Sequence, residues 1–159
     1  FSCEWARARF RFREPHSDLA YALEAEKGGA RAILMAVQAH IIKHLLFVRS
    51  TEYTHLERLR RVSHGEQGEA LAAALADTLW AAGGGGRAVV CLAATAVHVV
   101  PSGDYKADNF TERIRLFEFG EKAAAQEFIS DHINCFKGEA SHGVILFLYS
   151  LLLSRTLER

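Results

Sequence analysis

Two glycines open onto an apolar run in A25-E-K-G-G-A-R-A-I-L-M-A-V-Q38. A loop that ends at a helix start offers unpaired backbone N–H groups and the positive end of the helix dipole, the setting that activates a thiolate. The residue that stands there is Arg31, a permanent cation that cannot act as a nucleophile and whose charge adds unfavourably to the same dipole end. Its side chain is therefore expected to turn outward, to solvent or to a carboxylate such as Glu24 or Glu26.

The other reactive side chains form no strong pattern. His40 and His44 are four apart, a metal-ligand spacing, but H40-I-I-K-H44 lacks the glutamate of a zinc-peptidase helix and no third ligand stands nearby. They are read as histidines flanking a core, and no metal or other cofactor is expected. Cys3, Cys91 and Cys135 are an odd number without a CxxC pair, which fits neither a disulfide framework nor a four-ligand zinc site and favours a reducing, intracellular compartment, cytoplasmic or nuclear. Cys91 in an apolar stretch and Cys135 near a helix end lack the neighbouring cation that lowers a thiol pKa, so both read as structural. His142, in E139-A-S-H-G143, is either an exposed base or, more simply, part of the first turn of the last helix. The charges of E57-R-L-R-R61 read as a solvated face.

Positioning these groups falls to one domain. A chain of 159 residues with half its composition hydrophobic can bury one sizeable core. Lys plus Arg and Asp plus Glu are both 19, so no basic excess draws in nucleic acid. The first residues show no signal peptide, and the uncharged run Gly143 to Ser154 falls short of the roughly 18 to 20 residues that span a bilayer. Neither nucleic acid nor a membrane is expected as a partner. The chain starts without Met and stops at Arg159 without a helix-stop signal, so residues 1–159 are expected to be a single but incomplete domain.

The pattern predicts an edge strand from Trp5 to Phe12, a short helical turn from Ser17 or Asp18 to Leu23, and a helix from Arg31 to about Val48. That helix is apolar nearly all round, which places it in the middle of the core. A charged helix over Glu52 to His64 and an alanine-rich one over Glu69 to Ala82 follow, ending at Gly83-Gly84-Gly85-Gly86, a flexible turn without the Lys-Ser/Thr of a phosphate loop. Arg87 to Val100 reads as a buried strand and Arg113 to Phe119 as a second, with Ile114 and Leu116 facing one way. Helices over Glu121 to Phe136 and Gly143 to Arg159 complete a mixed α/β (α+β) order around one core.

The segment Y21-A-L-E-A-E-K-G-G-A-R-A-I-L-M-A-V-Q-A39 resembles the MINDY family of deubiquitinating cysteine peptidases, whose segment runs approximately Y-G-x-V-Q-x-K-G-G-P-C-G-V-L-A-A-V-Q. Similarity extends to W5…F10-R-F12, to K43-H-L-L-F47 and to S141-H-G-V-I-L-F-L-Y-S-L-L-L-S-R155, while Thr51 to Gly120 matches only loosely. The resemblance implies a papain-like fold, a central buried helix packed on a mixed sheet, and ubiquitin or polyubiquitin as the partner. In the family the Cys after G-G-P is the nucleophile, the Gln six residues before it helps form the oxyanion hole, and a distant His is the base.

In the register of K27-G-G29, Arg31 occupies the nucleophile position, Ala25 the glutamine position, Ala30 the proline position and Ala32 that of the following glycine. These losses resemble the inactive B-type relatives of the family's fourth member. Losing the nucleophile removes the covalent route, and losing an oxyanion donor alone costs about a hundredfold to a thousandfold. The expected function is that of an inactive ubiquitin carboxyl-terminal hydrolase, which leaves open binding of polyubiquitin without cleavage. Alternatives are an active lysine-48-selective thiol protease that recruits another cysteine, and a scaffold without ubiquitin affinity.

Overall fold

The computed structural model describes residues 3–48, 59, 61–93 and 114–156. Its elements are α1 (Cys3–Arg7), α2 (Arg31–Lys43) continued by a π-helical turn (His44–Val48), α3 (His64–Ala82), β1 (Ala88–Ala93), β2 (Ile114–Phe119), α4 (Lys122–Asp131), α5 (Asn134–Lys137) and α6 (Gly143–Thr156).

The helix at the centre of the core is α3, not α2. From Gln67 to Ala76 every α3 residue except Glu69 is buried, and α3 packs against α2, α4, α6 and β1. Its alanines have little side chain to hold neighbours away, so surrounding helices approach closely on several sides. Burial of Leu71, Leu75 and Leu79 contributes about 1.5–3 kcal/mol each. The α2 segment, by contrast, buries one stripe, Leu34, Val37, Ile41 and Leu45, and leaves Met35 41% exposed. Arg31–Val48 is long and apolar enough to cross a bilayer by length and composition. In this fold the stripe joins the common core, while Lys43 faces solvent. Counting apolar residues overstated its burial because Met35, Ala36 and Ala39 lie on the outer side.

Helix α3 also begins earlier than the alanine run suggests. Ser63 is its N-cap, accepting the Glu66 backbone N–H at 3.2 Å. S63-x-x-E66 is the capping-box spacing, a readable signal for this start. Of the helix expected over Glu52 to His64, residues 52–58 and 60 lie outside the described residues. At the other end the four glycines make a built turn rather than a loose one: Gly84 and Gly85 take φ values of +70° and +77°, and Gly85 N–H donates to Trp80 C=O at 3.0 Å. A Cβ on Gly83 would collide with the Arg87 carbonyl, so the chain can reverse directly into β1 only with glycine there.

Among the described residues the sheet, expected to be mixed, is an antiparallel β1–β2 pair, with Cys91 opposite Leu116 and Ala88 opposite Phe119. Residues 88–92 of β1 are all buried, as its continuous apolar run implies; residues 94–100 are not described. The packed face of β2 is that of Phe117 and Phe119, whose ring centroids lie 4.7 and 5.1 Å from that of Phe128 on α4. Leu116, on the other face, is 54% exposed. Ile114 and Leu116 do share a face, as the alternation predicts, and aromatic stacking decides that the opposite face packs.

At the N-terminus the expected edge strand is a short helix followed by extended chain. Residues Cys3–Arg7 form α1, and Phe12 makes an isolated bridge to Leu23. Buried Phe10 meets Phe147 edge-on at 5.6 Å. Among the described residues no second segment extends that bridge into a ladder, so the alternation R7-A-R-F-R-F12 serves to bury Phe10 while its arginines lie outside or near the surface. The Ser17 to Leu23 segment is a series of turns rather than a helix. Two glutamines hold it: Gln38 accepts the Leu23 N–H at 2.6 Å and donates to Tyr21 C=O at 3.0 Å, and buried Gln67 donates to Arg13 C=O and Ala20 C=O at 2.9 and 2.7 Å. Side-chain amides thereby satisfy backbone groups that no strand pairs. The single helix expected from Glu121 to Phe136 is broken at His132 into α4 and α5.

Candidate functional site

Arg31 is the first residue of α2 and is exposed. The preceding residue, Ala30, is buried and already helical in its backbone angles, and no side chain caps the helix. Among the described residues Arg31 makes no ion pair, because Glu24 is taken by Arg11 at 2.9 Å and Glu26 is not within pairing distance. Solvent is the outlet for its charge. Ala25, at the position of the expected oxyanion partner, is half-buried against the core and carries no polar side-chain group.

The turn that delivers Arg31 depends on its two glycines. Gly28 sits at φ +140°, and a Cβ there would lie 2.8 Å from a Glu4 carboxylate oxygen. A Cβ on Gly29 would lie 3.1 Å from the Trp5 ring. The upstream tryptophan is therefore packed over the glycine turn, which explains why these two sequence features belong to one site.

A third distant segment joins them. His142 Nδ1 lies 2.8 Å from Ala6 C=O, Val144 N–H donates to Ala8 C=O at 3.3 Å and Phe10 N–H to Phe136 C=O at 3.1 Å, and Arg9 donates to Lys137 C=O at 3.0 Å. His142 precedes α6 with φ +54° and serves to dock the N-terminal segment. Gly143 is needed because a Cβ there would collide with the Phe136 carbonyl, the same oxygen that receives Phe10 N–H.

Between α1 and the glycine turn lies a cleft of about 110 Å³, walled by Glu4, Arg7, Arg11, Glu24, Lys27 and Gly28 among others. It has charge of both signs, but among the described residues no thiol, hydroxyl or imidazole lines it. It can hold a ligand by ion pairing, and its described lining supplies no thiol or hydroxyl nucleophile.

The remaining chemical candidates lie elsewhere. Cys91 is fully buried in β1, and burial pushes its thiol up, with a Ser150 hydrogen bond offsetting part of the rise. Burial likewise pushes up half-buried Cys135 on α5, and Cys3 is exposed on α1. A raised thiol pKa opposes thiolate chemistry at neutral pH. His40 and His44 lie on α2 and at the start of the π-helical turn; His40 Nδ1 is buried and makes no hydrogen bond. No group of three or more His, Cys, Asp or Glu among the described residues is placed to hold a metal ion. Of E57-R-L-R-R61, only Leu59 and Arg61 are described.

The family model described as "Deubiquitinating enzyme MINDY-3/4, conserved domain" matches residues 1–159. The mouse protein named "Probable ubiquitin carboxyl-terminal hydrolase MINDY-4" is 37% identical over 158 residues, covering 99% of this chain and 21% of that relative. Its human counterpart is 34% identical and that of Xenopus tropicalis 33%, each over 99% of this chain and 20% of the relative. The chain thus spans about a fifth of the length of the curated relatives it matches. No solved structure matches it. With glycine turn, overlying tryptophan and docked S141-H-G143 segment brought together and the family model matching from end to end, the chain belongs to the MINDY-3/4 family of deubiquitinating enzymes.

Proposed function

We propose that this chain is a MINDY-type domain that has lost peptidase chemistry and binds ubiquitin or polyubiquitin without cleaving it. The observation that carries the loss is Arg31 at the start of α2, exposed and cationic where the helix start would activate a thiol. Ala25 supplies no oxyanion donor, and Cys91 and Cys135 are pushed away from the thiolate form by burial. A Cys–His mechanism without a nucleophile has no covalent route, and the missing donor removes a further hundredfold or so. Retention of the glycine turn, its tryptophan cover and the charged cleft supports a binding role, as a fold kept for recognition keeps its scaffold after the reacting groups are gone.

In this reading residues 1–159 are part of one papain-like domain, completed by sequence outside this stretch, and the protein works in a reducing, intracellular compartment, where its three free cysteines stay reduced.

The test uses full-length protein: incubation with lysine-48-linked polyubiquitin, labelling with a ubiquitin-derived cysteine probe, and a binding titration with ubiquitin chains. No cleavage, no labelling and saturable binding are expected. Turnover or probe labelling at Cys91 or Cys135 would sink the loss of activity, and absence of binding would sink the recognition role in favour of a scaffold.

A further inference from the structure

A second cleft, of about 300 Å³, lies between the Phe10 to Pro15 segment, the first turn of α3 and α5. Among the described residues Arg11, Arg13, His64 and Lys137 line it, with Glu14 as the one carboxylate on its wall. In a chain of zero formal net charge this is a local cationic excess. Among the described residues, Arg11 is paired with Glu24, whereas neither Arg13 nor Lys137 has a carboxylate partner.

Lys137 is the most telling of these groups. Its Nζ donates a hydrogen bond to His64 Nε2 at 3.4 Å, which ties the ammonium to the start of α3. A Cβ on Gly68 would come within 3.9 Å of the same nitrogen, which places the ammonium beside the helix about one turn in from its start. The positive end of the helix dipole also favours an anion at this end of the cleft. Burial without a counterion lowers the Lys137 pKa. An anion seated in the cleft would give Arg13 and Lys137 the counter-charge that no carboxylate among the described residues supplies.

We propose that this cleft is a binding site for a phosphate monoester, with Arg13 and Lys137 as its main ligands and His64 as a further donor. A dianion pairs more strongly than a single carboxylate with the cations on the wall of one cleft, and the arginine fork can engage two of its oxygens. The phosphoryl group is carried on a phosphorylated peptide side chain or is free phosphate; the chemistry recognised is the same. Arg11 also lines the cleft beside the glycine turn, so the two clefts share a wall without sharing the degenerate positions Arg31 and Ala25.

The test is calorimetric titration of full-length protein at fixed ionic strength with inorganic phosphate, with a short phosphoserine peptide and with the same peptide unphosphorylated. The protein is compared with Arg13→Gln/Lys137→Gln, with Lys137→Arg, and with Arg155→Gln as a control distant in sequence. Saturable binding of phosphate or phosphopeptide is expected, weakened about tenfold or more in the double variant, since charge-assisted hydrogen bonds are lost. Lys137→Arg and Arg155→Gln should retain it, and circular dichroism checks that each variant is folded. Tighter binding of the phosphopeptide than of phosphate identifies a peptide source, and the reverse identifies the free anion. Absence of saturable binding by either probe, or equal binding by the folded double variant, overturns the proposal.

Discussion

The Ser150 hydroxyl accepts the backbone N–H of Cys91 at 2.8 Å while donating to the Leu146 carbonyl at 2.7 Å. One turn later Ser154 accepts the Val89 N–H at 2.8 Å and donates to the Val89 carbonyl at 3.3 Å. Helix α6 thus covers β1, using two buried hydroxyls to satisfy backbone groups that β2 does not pair. Ser150→Ala leaves the Cys91 N–H buried and unsatisfied, with an expected loss of about 1–3 kcal/mol. Urea denaturation measures it, and an unchanged midpoint would contradict the role given to the hydroxyl.

Arg31→Cys should create a reactive thiol without creating an enzyme. At the exposed start of α2 the new cysteine gains from the dipole and from free N–H groups, so iodoacetamide should modify it well before Cys91 or Cys135. Turnover of polyubiquitin should stay absent in the single variant, because Ala25 supplies no oxyanion donor. Mass spectrometry of the alkylated protein and a gel-based cleavage assay read the two outcomes separately.

Backbone conformation around S141-H-G143 predicts two substitutions of opposite sign. Gly143→Ala forces a Cβ against the Phe136 carbonyl and should destabilise by about 1–3 kcal/mol. Ala140 sits at φ +53°, where a Cβ is costly, so Ala140→Gly should stabilise by about 0.5 kcal/mol after the added freedom of the unfolded chain is offset. Thermal melts should move in opposite directions; a shared direction would refute the assignment.

Alkaline pH should weaken the fold through its thiols. Burial raises Cys91 and Cys135 above the ordinary 9.0. Between that value and the raised ones the unfolded chain releases protons that the native state keeps, so stability is fully present below about pH 9 and falls as pH rises. Lys137 acts in the other direction, since its lowered pKa makes the unfolded chain bind more protons just below 10.5, and stability rises with pH there. Cys91→Ala/Cys135→Ala should therefore lose less stability than the parent between about pH 8 and about pH 10 in urea titrations. Identical losses would show that these thiols do not govern the alkaline limb.

Local pattern was enough for much of this molecule. K27-G-G29 before an apolar run located the start of α2, and the odd Arg31 was visible there because a helix start has a chemical character that an arginine contradicts. β-branched continuity marked β1, and the glycine run marked the reversal before it. Tertiary structure alone decided which helix is central, since α2 and α3 are both apolar and only packing shows that alanines admit neighbours on several sides. It also decided that Phe117 and Phe119 form the packed face of β2, because Phe128 on another element selects it. Above all it placed Trp5, Gly29 and His142 in one neighbourhood. Residues more than a hundred positions apart meet through long-range hydrogen bonds and close backbone approach, which no local periodicity encodes.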